Sequence, residues 1–140
     1  MKVVRYVIGE KNLIECVCAP ADQIPTKIKY DSAFSAGVFQ HFDDIDYVEK
    51  VLDLMLEKSE KSIGILEIFD EATASEYLAY RRKNDKDYDE HYKGLPKLFI
   101  SKDFFKQYAE KNNLDLKIDK YQMKSYWNTP FIYDCFLYKK

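Results

Sequence analysis

The stretch YDSAFSAGVFQHF at residues 30–42 decides how this chain is read. Asp31 to Ser35 has the composition of a buried parallel strand, and it runs out on the small residues Ala36 and Gly37. In open α/β sheets that carboxyl edge is where ligands sit. A nucleotide would also need its charged end cradled, and 29 residues precede Tyr30. The four glycines, Gly9, Gly37, Gly64 and Gly94, are too far apart to build a glycine-rich phosphate turn.

Working outward, Ala36 to Phe42 reads as a loop or short turn. Asp43 and Asp44 then supply a helix N-cap, and Ile45, Val48, Val51, Leu52, Met55 and Leu56 repeat on one helical face. The acidic group Asp43, Asp44 and Asp46 is explained by its place at a helix start, where carboxylates cap free N–H groups, without a metal. KSIGILEIF at 61–69 predicts a largely apolar strand covered on both faces. Asp70 to Asp89 is polar and tyrosine-rich, and its RRKNDKDYDE portion reads as a solvated face or mobile loop. Ser101 caps a helix carrying Phe104, Phe105, Tyr108 and Ala109, which ends at Asn112 and Asn113. Leu114 to Met123 and Phe131 to Tyr138 form a closing antiparallel strand pair around a Trp127-Asn128-Thr129-Pro130 turn region.

Upstream of Tyr30 the signals are shorter. Val3, Val4, Val7 and Ile8 fit a helical face, while their branching suits a strand equally well; Met1 to Ile8 is taken as a helix remnant. NLIECVCA at 12–19 alternates and predicts a strand that Pro20 ends, and Ala21 to Lys29 is a loop around Pro25. No internal repeat or linker divides the chain, so residues 1–140 are expected to form one domain.

Charge and cysteine usage narrow the partners. With 22 basic against 24 acidic residues there is no basic field to attract a nucleic-acid backbone. No apolar run approaches the ~18 residues of a membrane span. Cys16, Cys18 and Cys135 are an odd set without a secretory context, which predicts reduced thiols and a cytoplasmic protein. Cys16 and Cys18 lie on one face of the expected strand, but Cys135, His41 and His91 are too distant in sequence for paired zinc spacing; metal-free, buried cysteines are expected. Twelve Tyr and nine Phe exceed what such a core uses, and some are expected to line a groove or a subunit contact.

Candidate chemistry is sparse. Ser35 precedes His41 by six residues with no exposing elbow, so nucleophilic catalysis is not indicated. His41 follows the ligand edge and fits either a general base or substrate-orienting group, or a loop histidine packed between Phe39 and Phe42. The aromatics Tyr88, Tyr92, Phe99, Phe104, Phe105, Tyr121, Tyr126 and Trp127 suit an acceptor pocket or ordinary packing.

The order of strand, YDSAFSAGVFQHF, amphipathic helix, KSIGILEIFD, tyrosine-rich lid, GLPKLFISKDFF helix and closing strand pair resembles the class I S-adenosylmethionine-dependent methyltransferases, from Asn12 to Lys140. That resemblance implies a transferase with an incomplete Rossmann-like sheet, mostly parallel with a closing antiparallel pair and helices on both faces. It implies that Ala36, Gly37 and Val38 pass the methionine end of S-adenosyl-L-methionine, that Asp22 is the available acid near the adenine, and that His41 faces a small-molecule acceptor under a lid following Phe69. The sequence departs from the family at Pro20, which stands where an adenine-facing acid precedes the Ala21-x-x-Ile24-Pro25 motif. The glycine-rich loop and ribose acid of the family belong to strands with no counterpart here. A truncated, carboxy-terminal part, inactive in isolation, is therefore expected. In the family's strand order 3-2-1-4-5-7-6 the missing strands would leave an orphan edge, so the residue 12–19 strand is expected either to close onto Asp31 to Ser35 or to pair between chains as a homodimer. The alternative from another class is a non-catalytic interaction or subunit protein that uses this edge and its aromatic surface.

Overall fold

The computed structural model describes residues 6–9, 11, 13–95 and 97–140. A mixed four-stranded sheet organises them, with β1 (Tyr30–Ala36), β2 (Ser59–Phe69), β3 (Leu114–Lys120) and β4 (Ile132–Lys139) in the order β1-β2-β4-β3. β1 and β2 run parallel, while β2–β4 and β4–β3 are antiparallel. β1 and the closing pair lie where the sequence reading puts them, but β1 is not the buried strand expected: it is the edge of the sheet, with none of its residues buried, and β3 stops at Lys120 rather than Met123.

The parallel connection is made by α1 (Ile45–Lys58). Its N-cap is Asp44, whose carboxylate accepts from the Tyr47 N–H at 2.8 Å, a bond typically worth about 1 kcal/mol. Val48, Val51, Leu52 and Met55 are buried on its inner face. They pack on Ala33, Ile63, Ile65, Cys135 and Leu137 of the sheet, together with Phe105, Tyr108 and Ala109 of the helix at Lys102–Lys111. Ser101 Oγ caps that helix by accepting from the Phe104 N–H at 3.2 Å.

Between β2 and that helix lie α2 (Ala74–Asn84) and the single turn α3 (Tyr88–His91), which makes the Lys102–Lys111 helix α4. With Arg82 to Asn84 and Asp89 to Glu90 exposed, most of the RRKNDKDYDE segment is the solvated face expected, but it is largely helical rather than a mobile loop. Arg81 explains why: its guanidinium lies over the rings of Tyr88 at 4.7 Å and Tyr92 at 5.0 Å, so α2 and α3 share one aromatic cluster. Arg82 adds a fork onto Asp89, with contacts of 3.0 and 3.1 Å.

A bulge interrupts β2. Ile65 faces Cys135 and Ile68 faces Tyr133, so Leu66 and Glu67 together oppose Asp134 alone. Glu67 takes the left-handed conformation, φ +61°, and its N–H donates to Asp134 Oδ1 at 2.9 Å. Beyond it, Ile68 joins the main core and Phe69 a second cluster with Tyr77, Phe131 and Ile132.

The expected strand over 12–19 is not present among residues 13–19. Pro20, the 3-10 turn Ala21–Gln23 and Pro25 leave too little chain for a crossover onto β1, and without a ladder the segment buries little. Ile14 is 73% exposed, Cys18 is exposed and Cys16 is half-buried, so of the three cysteines Cys135 alone is buried. Residues 6–8 are helical; the rest of the expected 1–8 helix lies outside the described residues.

One edge and part of one face stay open. Gly37 N–H donates to Leu66 O, so by alternation Ser32, Phe34 and Ala36 direct their backbone groups away from β2, with no described strand beyond. Phe34 is 66% exposed on the face away from α1, beside Gly64.

Candidate functional site

The carboxyl end of the parallel pair is built around Gly37. Its φ of +64° turns the chain out of β1, a conformation that glycine adopts without side-chain strain. The turn is pinned twice: Gly37 N–H donates to Leu66 O at 3.0 Å, and the Gln40 amide donates to Gly37 O at 3.0 Å. Gln40 Oε1 is buried without a hydrogen-bond partner among the described residues, while the Gln40 carbonyl accepts from the Leu98 N–H at 3.0 Å. Ala36 and Val38, on either side of Gly37, are exposed.

His41 is exposed, and its Nε2 lies 3.2 Å from the Gln40 amide nitrogen. It is not packed between Phe39 and Phe42, whose rings instead contact each other at 4.9 Å.

Asp22 stands elsewhere. Its carboxylate meets Lys50 Nζ at 2.6 Å and accepts from the Tyr47 hydroxyl at 3.1 Å, which ties the Ala21–Gln23 turn to α1. The Lys50 hydrogen bond foremost, helped by Tyr47, holds its pKa below the usual carboxylate range. A carboxylate so engaged has little left to offer an adenine amino group. An apolar groove of about 340 Å³ does run between that turn and β1, lined by Ala21, Ile24, Ser35, Val38, Val51 and Met55 among others.

The sequence reading missed a polar group beside Gly37. Glu67 Oε2 would lie 3.5 Å from a Cβ placed on Gly37, and the carboxylate accepts from the hydroxyls of Tyr121 at 3.1 Å and Tyr126 at 3.5 Å. Asn128 in turn donates to Tyr126 at 2.9 Å. Asp134 is next to it, its pKa raised by burial above all. The available signal was an acidic residue inside the apolar run KSIGILEIF.

No family model matches the chain, and no curated protein matches its sequence. Solved structures do match its fold. Magnesium protoporphyrin IX methyltransferase (ChlM) from Synechocystis PCC 6803, with S-adenosylhomocysteine bound, superposes with a TM-score of 0.67 at 10% identity over 99% of this chain. The fold is methyltransferase-like. The same enzyme with S-adenosylmethionine bound gives 0.62 at 8% identity, and a DUF574 family protein from Streptomyces avermitilis MA-4680 gives 0.53 at 11%. The chain spans 57% of the first of these proteins' length and 51% of the last. In this methyltransferase-like fold the Gly37 turn lies at the carboxyl end of the parallel strands, with Gln40, His41 and Glu67 around it.

Proposed function

We propose that this chain supplies the acceptor-side half of an S-adenosylmethionine-dependent methyltransferase acting on a small molecule, and that in isolation it does not turn over. The observation that carries the reading is the Gly37 turn. It presents backbone without a side chain at the carboxyl end of the parallel strands, beside a buried Gln40 Oε1 that lacks a donor among the described residues. Ala36, Gly37 and Val38 would pass the methionine end of the cofactor, and Gln40 Oε1 suits an ammonium donor. Asp22 does not fit the adenine, because Lys50 and Tyr47 hold it. The cofactor supplies an activated methyl group. The chain's part would be to orient the acceptor and exclude water, and the exposed His41 beside the Gly37 turn and the aromatic residues after Phe69 are the groups that support this reading.

Calorimetry and NMR with S-adenosylhomocysteine test both halves of this reading. Weak binding is expected, with shift changes confined to Ala36–His41. Micromolar or tighter affinity would overturn the claim that the chain holds only part of a cofactor site. Unchanged Gly37 and Gln40 signals at saturating ligand would overturn the methyltransferase reading itself.

The open β1 edge favours a second reading, in which two copies pair through it as a homodimer. The edge carries a single charge, Asp31, and neither proline nor lysine, the residues that usually protect such strands. It replaces residues 12–19 as the expected contact. Light scattering should give a dimer that Phe34→Lys converts to monomer; a wild-type monomer at high concentration would exclude it.

A further inference from the structure

Lys97 and Arg81 are two cations in one aromatic cluster; Arg81 shares the Asp85 carboxylate with His91, while Lys97 has no carboxylate partner among the described residues. The Lys97 ammonium lies over the Phe69 ring at 4.0 Å and the Tyr77 ring at 5.7 Å, with no hydrogen bond or ion pair among the described residues. Arg81 covers Tyr88 and Tyr92 and donates to the Tyr77 hydroxyl at 3.2 Å. The carboxylates in this part of the fold are already engaged: Asp89 by the Arg82 fork, and Asp85 by His91 at 3.0 Å. Burial, with Arg81 as the smaller cause, pushes the Lys97 pKa down to about 8. Ring faces attract an ammonium but leave its N–H donors unsatisfied.

Lys97 also lines a hollow of about 260 Å³, with Leu78, Leu95, Phe99, the rings of Tyr88 and Tyr92, and Asp89, whose carboxylate is held by Arg82. A cavity of roughly 150 Å³ already accommodates benzene, so a single substituted ring fits here. With Asp89 paired to Arg82, the charge left over in this largely apolar hollow is that of Lys97, which selects a ligand with a flat apolar body and one negative charge.

We propose that this hollow binds a small aromatic carboxylate, with its ring between the apolar walls and its carboxylate on the Lys97 ammonium. The site does not depend on the methyl-transfer reading. It lies beyond the Leu98–Gln40 hydrogen bond from the Gly37 turn, and its occupancy can be measured without cofactor.

The test is an NMR titration of the full chain with benzoate, benzamide and benzylamine. Benzoate is expected to shift the Leu78, Tyr92, Leu95 and Phe99 signals, with benzamide about tenfold weaker or worse and benzylamine not binding, because a charge-assisted hydrogen bond is lost or reversed. Lys97→Met should abolish benzoate binding, and Lys93→Met, on the exposed turn, should leave it unchanged. Equal affinity for benzoate and benzamide overturns the proposal. So does full benzoate affinity in a folded Lys97→Met. If that variant fails to fold, the comparison of benzoate with benzamide on the wild-type chain still decides.

Discussion

Replacing Gly37 by alanine isolates the cost of the turn at the candidate site. A Cβ there would lie 3.5 Å from Glu67 Oε2, an ordinary contact, so sterics with neighbours contribute little. The backbone is another matter: at φ +64° an L-residue with a Cβ carries about 1–2 kcal/mol of strain. Alanine also restricts the unfolded chain, which offsets about 0.4–1 kcal/mol. The net expectation is a loss of about 1 kcal/mol, roughly 3–5 °C in melting temperature for a chain of this size. Urea denaturation followed by circular dichroism measures it, and Gly37→Asn, which tolerates the left-handed region better, should recover part of the loss. Gly64→Ala is the contrasting case. Its Cβ would approach Phe34 Cδ1 to 2.6 Å, but that ring is exposed and can rotate, so the change should appear in the aromatic spectrum more than in stability. A Gly37→Ala variant as stable as wild type would show that residue 37 is not held left-handed, and the account of the turn would fail.

Three further outcomes are expected. Thiol titration of the native protein should find Cys16 and Cys18 reactive and Cys135 silent until denaturation, since Cys135 is fully buried and burial pushes its thiol pKa up; three equally reactive thiols would contradict this. Wild type should gain stability relative to Lys97→Met as pH rises from about 8 toward the ordinary lysine value of 10.5, because over that window the unfolded chain binds the extra proton. Screening at a partly exposed site reduces the gain to about 1 kcal/mol, and parallel pH curves for the two proteins would refute it. The His91 pKa, raised chiefly by its hydrogen bond to Asp85, should fall back to the ordinary value in Asp85→Asn when followed by NMR; its stabilising contribution is present below the ordinary histidine pKa and is lost as pH rises through the folded one.

What was legible in the sequence was what local pattern governs. The α1 stripe from Ile45 to Leu56, its Asp44 cap, the Ser101 cap and the β-prone runs at 31–35 and 61–69 all appear where periodicity places them. Residues 13–19 alternate just as well, yet form no strand, because alternation specifies a strand only if a neighbour offers a ladder. The helix over Arg81 to Asn84 was hidden for the opposite reason. Its charges look solvated in one dimension, and only folding brings Tyr88 and Tyr92 over Arg81. At the site, Gly37 was readable from the small residues ending β1. Glu67, Tyr121 and Tyr126 were not, since their meeting depends on a bulge that no pattern announces.

That extra residue in β2 also fixes how the strand can change in length. Ile63, Ile65 and Ile68 share the main core only because one position between them is left over, and Phe69 reaches the second cluster for the same reason. Deleting Glu67 would remove that leftover position and set Leu66 opposite Asp134 and Ile68 opposite Tyr133 in plain alternation, so Ile68 would stay in the main core and Phe69 in the second cluster. A deletion among the regular rungs at 62–65 would instead exchange the two sides of one part of the strand against the rest. The bulge is therefore the one place in β2 where a residue can be lost while every apolar side chain keeps its side.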